Sequence, residues 1–301
     1  MAERDVLECV VNVSEGRRRD VVDAIAGAGG ARVLDVHVDA DHNRSVVTLG
    51  GPAVAVEDAA RRLASHAASL LDLRMHDGVH PRFGVVDVVP FVALDETPRE
   101  RAVEAARAYA AWSAHELGVP VFLYGDADPG ARTLPDTRRD AFVRRRPDAG
   151  RGQPDPRLGA TAVGARPVLV ALNCELPTDD VGLARDIARA VRERDGGLPG
   201  VRALGFLLGS HSRAQVSMNL VALERTGVER ACDAVREQAR LRGSDVDRVE
   251  LVGLVPAAER ARWSHAFRDR SGISEAETIE ARLGRAAGAE HSGGPGPAGA
   301  A

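Results

Sequence analysis

Hydrophobic positions switch along the chain between a period of two and a period near three and a half, and the switches lay out a series of elements. Residues 7–13 are a short apolar run that predicts a strand. In residues 20–28, Val21, Val22, Ile25 and Ala28 recur at helical spacing, and Gly29-Gly30 stops them. Residues 31–38 and 44–49 read as strands around a polar turn, Asp39-Ala40-Asp41-His42, and Gly50-Gly51 ends the second. Pro52 then opens a helix to Leu71, with Val56, Ala59, Ala60, Leu63, Ala67 and Leu70 on one face. A loop rich in glycine and proline leads to an apolar strand at 85–92. A helix at 99–117 and a strand at 119–124 follow.

The order strand-helix-strand-strand-helix-strand is that of the ferredoxin-like unit, a four-stranded antiparallel sheet with two helices on one face. It returns later in the chain. Strands at 167–173, 201–208, 214–221 and 249–255 enclose helices at 179–194 and 228–240. The expected fold class is therefore α+β, with two tandem ferredoxin-like subdomains at 1–166 and 167–283. Short helices are expected at 256–268 and 274–283. The stretch 284–301 holds mostly Ala, Gly and Pro, which offers few apolar anchors and predicts a disordered tail. Residues 125–164 read as a long irregular segment crossing between the halves, and loops of that length are usually functional.

Composition narrows the chemistry. The 44% hydrophobic and 28% charged residues fit a globular chain and exclude a fibrous or disordered one. A net charge of -4 gives no reason to expect nucleic acid. All 40 basic residues are arginine, which excludes Schiff-base lysines and the P-loop lysine. Any side chain of fixed positive charge that binds a carboxylate must then be an arginine fork. Cys9, Cys174 and Cys232 lie far apart and form no CxxC pair, which argues against a disulfide framework, a zinc finger or a redox dithiol. The charged start, Met1-Ala2-Glu3-Arg4-Asp5, and the lack of any apolar run near ~18 residues predict a cytoplasmic protein without a membrane span.

Three polar clusters follow or join strands of the first half. Met75-His76-Asp77-Gly78-Val79-His80-Pro81-Arg82-Phe83-Gly84 carries two histidines in a loop, open to a structural or an acid/base reading. A metal needs more ligands than this spacing supplies, so none is expected. Asp39 to Arg44 is a turn whose Asn43 and Arg44 are candidate donors to a substrate. Asn12-Val13-Ser14-Glu15-Gly16 ends the first strand, with Ser14 a candidate helix cap and Asn12 a candidate ligand contact. In the second half, Gln215, Ser217 and Asn219 alternate along a strand and are either its wet face or one wall of a cleft. No GxGxxG, GxSxG or Walker A sequence is present.

At these residues the chain resembles the formiminotransferase family, whose members include glutamate formimidoyltransferase and the transferase part of formiminotransferase-cyclodeaminase. The matching stretches are residues 8–16, 41–48, 76–91, 121–125, 159–166, 215–220 and 251–256, in the family's order, with GxHPRxG followed by DVxPF the most specific. The resemblance implies paired ferredoxin-like subdomains, a homodimer, and passage of a formimino group from N-formimino-L-glutamate to N5 of tetrahydrofolate. It implies His80, just before Pro-Arg, as the catalytic acid/base. It also implies that Gly150-Arg151-Gly152-Gln153-Pro154-Asp155-Pro156-Arg157-Leu158-Gly159 is the folate loop.

The reaction's proton bookkeeping needs one histidine, and its two carboxylate-bearing substrates make Arg44 and Arg82 natural anchors. Val79 stands where family members usually carry Glu or Gln. That leaves two alternatives open: formyl transfer between 5-formyltetrahydrofolate and glutamate, or a catalytically inactive folate-binding protein. Folate is expected in a groove between the halves, with Arg151 and Arg157 on its carboxylates and Gln215, Ser217 and Asn219 on the far wall.

Overall fold

A computed structural model describes residues 5–78, 82–210 and 212–292 of the chain. It is α+β, built as two tandem domains, each with its own sheet. The first runs β1 (Val6–Val13), α1 (Arg19–Gly27), β2 (Val33–Asp39), β3 (Arg44–Pro52), α2 (Ala53–Leu70) and β4 (Val86–Leu94). It continues with α3 (Arg99–Trp112), β5 (Val121–Gly125), α4 (Leu134–Asp140) and β6 (Thr161–Ala165). The strand order is β2-β3-β1-β4-β6-β5. Pairing is antiparallel from β2 to β4, and β6 lies parallel to both β4 and β5.

The second domain runs β7 (Val170–Glu175), α5 (Val181–Val191), β8 (Val201–Leu208), β9 (Arg213–Leu220), α6 (Val228–Arg240) and β10 (Arg248–Val252). Its order is β10-β7-β9-β8, antiparallel throughout. Helices α7 (Ala257–Ala261), α8 (His265–Ser271) and α9 (Ile279–Ser292) close the chain's described part.

Each sheet is covered by helices on one face, for the reason read from the sequence. In α2 the residues Val56, Ala59, Ala60, Leu63, Ala64 and Ala67 are fully buried against Leu7, Cys9, Val11 and Val13 of β1. The many alanines let the helix axis approach the sheet closely, and Leu63 fills the remaining depth. Cutting such a leucine back to alanine costs about 2–5 kcal/mol, because the cavity closes only partly. In the second domain, Ala184, Ile187, Ala188 and Val191 of α5 and Ala231, Cys232 and Val235 of α6 play the same part.

The alternate side chains of both sheets point to the opposite faces; on the first sheet Leu134 of α4 packs there on Val88, Tyr124 and Ala162, and the rest of that face meets α9 and the second domain. Leu34, Val92 and Leu94 of the first domain pack with Leu254 and Ile279. The His42 ring stands edge-on to Phe206 at 5.1 Å. The Asp41 carboxylate accepts from the backbone N–H (2.9 Å) and hydroxyl (2.6 Å) of Ser210.

Two expectations need correcting. Residues 125–164 do not cross between the halves. They form α4 and then insert β6 between β4 and β5, so the first sheet has six strands. The segment from Gly284 was expected to be disordered, yet α9 continues through it to Ser292. Leu283 and Ala286 anchor it by packing against the inter-domain apolar cluster.

Candidate active site

The β2–β3 turn is built around two side chains. The Asp39 carboxylate accepts from the His42 backbone N–H at 2.9 Å and meets Nδ1 of the same residue at 2.5 Å. Burial works to raise the Asp39 pKa, but the hydrogen bonds from His42 outweigh it and hold the group at about 2. Asn43 takes a left-handed φ of 46°, which asparagine tolerates better than most residues. Its amide is a clasp: Oδ1 accepts from Gly16 N–H and Nδ2 donates to the Asp77 carbonyl, both at 2.9 Å. A Cβ at Gly16 would lie 2.2 Å from the Asp39 carbonyl oxygen, so only glycine allows the end of β1 to pass under this turn.

The end of β1 is tied to the loop before β4. Ser14 donates through Oγ to the Gly84 carbonyl at 2.7 Å and through its N–H to Val85 at 2.8 Å. It therefore does not cap α1. Glu15 instead braces the turn before α1, accepting from the N–H groups of Arg17 and Arg18 at 2.9 Å, and no side chain caps the helix itself. Asn12 stays beside its own strand and donates to the Val10 carbonyl.

Arg82 is the hub of the loop, with its side chain 3% exposed. It donates to the His42 carbonyl at 3.0 Å and to Asp87 Oδ2 at 3.4 Å. Asp87, 1% exposed, also accepts from Phe83 N–H at 2.8 Å and from Arg138 of α4 in a short ion pair. Burial pushes the Arg82 pKa down to about 10; Arg44 and Arg138 push the same way and Asp87 opposes them. Burial likewise lowers Arg44, against the pull of Asp39 and Asp87. Both guanidiniums remain charged near neutral pH.

These arginines are not saturated. The Nε atoms of Arg44, Arg82 and Arg138 are buried without a hydrogen-bond partner, as are Thr48 Oγ1, His76 Nε2 and Gln215 Nε2. An unmet buried donor costs about 1–3 kcal/mol, more when charged, so such a set is held in place for a ligand or by water. Across the seam, Glu250 of β10 acts electrostatically on Arg44 and accepts from Asn173 at 2.8 Å; Asn173 pairs with Ser217 in the β7–β9 ladder. Gln215 is buried on the same strand face, Ser217 half-buried and Asn219 exposed.

The 150–159 segment belongs to the first domain. Leu73 N–H donates to the Arg157 carbonyl, Val85 N–H to Leu158, and Ala160 N–H to Phe83, all at 2.8–2.9 Å. A Cβ at Gly84 would lie 2.1 Å from the Ala160 carbonyl, and one at Gly159 would lie 2.5 Å from that of Phe83. The segment is thus zipped to the residues just after Arg82. Arg157 is committed to the end of α2, donating to the carbonyls of Ala68 (2.6 Å) and Leu71 (3.0 Å). Arg151 is exposed, 3.8 Å from Asp155. Gly150, Gly152, Gln153, Pro154 and Pro156 are exposed, whereas Leu158 and Gly159 are buried.

The structure therefore brings Arg44 and Arg82 together, and sets the 150–159 segment beside their loop. His80 lies outside the described residues, although Gly78 and Arg82 on either side of it both meet the His42 carbonyl. Sequence reading assigned no role to Asp87 or Arg138. Asp87 had a signal, since a charge inside the apolar run 85–92 demands a partner. Arg138 had none, sitting among several equivalent arginines. Among the described residues no group of His, Cys, Asp and Glu is arranged to hold a metal ion, and no helix is long and apolar enough to cross a membrane.

Comparison with known proteins matches the chain to a family. Residues 6–166 match the formiminotransferase domain, N-terminal subdomain, and residues 171–283 match the formiminotransferase domain. The chain is 36% identical over 302 residues to a glutamate formimidoyltransferase of Thermoplasma acidophilum, covering 95% of this chain and 99% of that one. It is also 36% identical to the glutamate formimidoyltransferase of Streptococcus pyogenes, covering 84% and 89%. The formimidoyltransferase-cyclodeaminase of Rattus norvegicus matches at 36% identity over 83% of this chain but only 50% of its own length. The chain belongs to the formiminotransferase family.

Proposed function

We propose that the chain transfers a formimino group from N-formimino-L-glutamate to N5 of tetrahydrofolate and releases glutamate. The observation that carries this reading is the set of three arginines, Arg44, Arg82 and Arg138, whose buried Nε atoms have no hydrogen-bond partner among the described residues. Both substrates are carboxylates, and planar forks in a desolvated seam suit them. The 150–159 segment, taken as the folate loop, is hydrogen-bonded to the residues after Arg82, which supports a folate bound beside that loop. His80 serves as the acid/base, and orientation of two substrates in one seam contributes about 7–11 kcal/mol at most. Gln215 and Ser217 form part of the opposite wall. We read each half, from the β2-β3-β1-β4 and β10-β7-β9-β8 orders, as a ferredoxin-like unit. We place the protein in the cytoplasm as a homodimer.

The test is direct. Purified protein is given formiminoglutamate with tetrahydrofolate, and separately 5-formyltetrahydrofolate with glutamate. Glutamate release in the first mixture supports the proposal. Turnover in the second alone replaces it with formyl transfer, and folate binding without turnover in either makes the chain a folate-binding protein.

A further inference from the structure

His42 is arranged as a proton carrier rather than as a packing residue. Asp39 engages it twice, through the backbone N–H and through Nδ1. A carboxylate can only accept, so the neutral ring keeps its proton on Nδ1 and presents Nε2 bare. Nδ1 is thereby the nitrogen that Asp39 occupies. The ring is 7% exposed and stands edge-on to Phe206 in the seam between the domains. Its own carbonyl is held by Arg82, and Arg44, two residues further along the turn, has a buried Nε with no hydrogen-bond partner among the described residues. The charged groups around it are Asp39, Asp41 and Arg44 on its own turn and Arg82 from the loop. Asp41 is occupied by Ser210 of the second domain.

We propose that His42, oriented by Asp39, is a second proton carrier of the transfer, accepting the N5 proton at Nε2. This rests on the formimino-transfer reading above and divides between two imidazoles the work assigned there to one. N5 attacks the amidine carbon and the N5–C bond forms. The N5–H electron pair stays on nitrogen as the proton passes to His42. The bond from carbon to the glutamate nitrogen then breaks, its electron pair remains on that nitrogen, and His80 supplies the proton. One proton leaves N5 and one reaches glutamate. Proton exchange with water resets both rings. His42 is the catalytic residue here and Asp39 a positioning residue.

The experiment measures kcat and KM for both substrates across pH in the wild type and in His42→Gln, Asp39→Asn and Phe206→Leu. Absence of wild-type turnover overturns the formimino-transfer reading itself and is thereby separate from failure of this inference. Asp39→Asn is nearly isosteric and keeps an oxygen for the His42 N–H, but it turns an amide donor toward Nδ1 and puts the ring proton on Nε2. General acid–base catalysis is typically worth about 10²–10⁴-fold, so both His42→Gln and Asp39→Asn are expected to lower kcat by at least about 10²-fold. KM should change little. Free imidazole should restore part of the activity of His42→Ala. Unchanged kcat, a loss confined to KM, or an equal loss in Phe206→Leu would overturn the proposal. If His42→Gln fails to fold in a thermal melt, Asp39→Asn decides the question.

Discussion

Two histidine–aspartate pairs in this molecule have the same chemistry and opposite settings. His42 meets Asp39 at 2.5 Å with the two side chains 7% and 14% exposed, in a seam flanked by Arg44 and Arg82. His265 meets Asp269 at 3.0 Å on one face of α8, 91% and 69% exposed. The arginines divide the same way. Arg240 is 63% exposed and paired to Asp245 at 3.1 Å, whereas Arg82 is 3% exposed around a buried carboxylate. Water satisfies the second-domain groups and screens them, so each such pair contributes little. Around Arg44 and Arg82 the same groups have lost water and hold unmet donors. The two halves share an element order, and it is desolvation at the loop ends of the first that separates a site from a surface.

Paired substitutions in the two settings sharpen this contrast. His80→Ala should lower turnover by about two to four decades while His265→Ala leaves it unchanged, as read by steady-state kinetics with formiminoglutamate and tetrahydrofolate. Equal rates in the two variants would remove His80 from the chemistry. Asp87→Ala leaves Arg82 and Arg138 without their shared carboxylate and should cost about 3–5 kcal/mol in urea unfolding. Asp245→Ala on the surface of the second domain should cost about 1 kcal/mol or less. Arg157→Ala removes two charge-assisted bonds from the end of α2 and should destabilise the fold by about 1.5–3 kcal/mol. Arg151→Ala should leave the melting temperature in place and weaken tetrahydrofolate binding in calorimetry. The reverse pattern would make Arg157 the folate contact. The smallest effect is on pH. Asp39 is depressed from its ordinary 3.8 to about 2, so the stability it contributes is complete above about 4 and is lost as pH falls toward 2. Asp39→Asn should flatten the acid end of the stability curve, and an unaltered curve would show the pair to be idle there.

The sequence made most elements legible where side-chain period and burial coincide. The α2 stripe and the alternation in β1 are local patterns, readable from neighbours alone. β6 was missed because Thr161-Ala162-Val163-Gly164-Ala165 is small and weakly apolar, and its place is set by parallel pairing to β4 and β5, far away in the chain. The continuation of α9 was hidden by Gly284 and Gly288, which lower helix propensity; Leu283 on the inter-domain cluster overrides them. Arg44 and Arg82 stand out in the sequence because a lysine-free chain has few cationic choices, and the fold brings the two together. The clasp of Asn43 and the ion pair from Arg138 to Asp87 were not legible there, since both join segments distant in sequence. Arg157 looked free for a ligand, and only the fold shows it committed to a helix end.

The close approach of Gly84 and Gly159 has a consequence for the protein's history and its engineering. Neither position has room for a methyl group, because each faces backbone atoms of the other's strand. A side chain gained at one must be matched by a backbone shift at the other, so substitutions in the two loops are coupled. Exchanging residues 150–159 for those of a relative would therefore succeed only if residues 83–85 travelled with them.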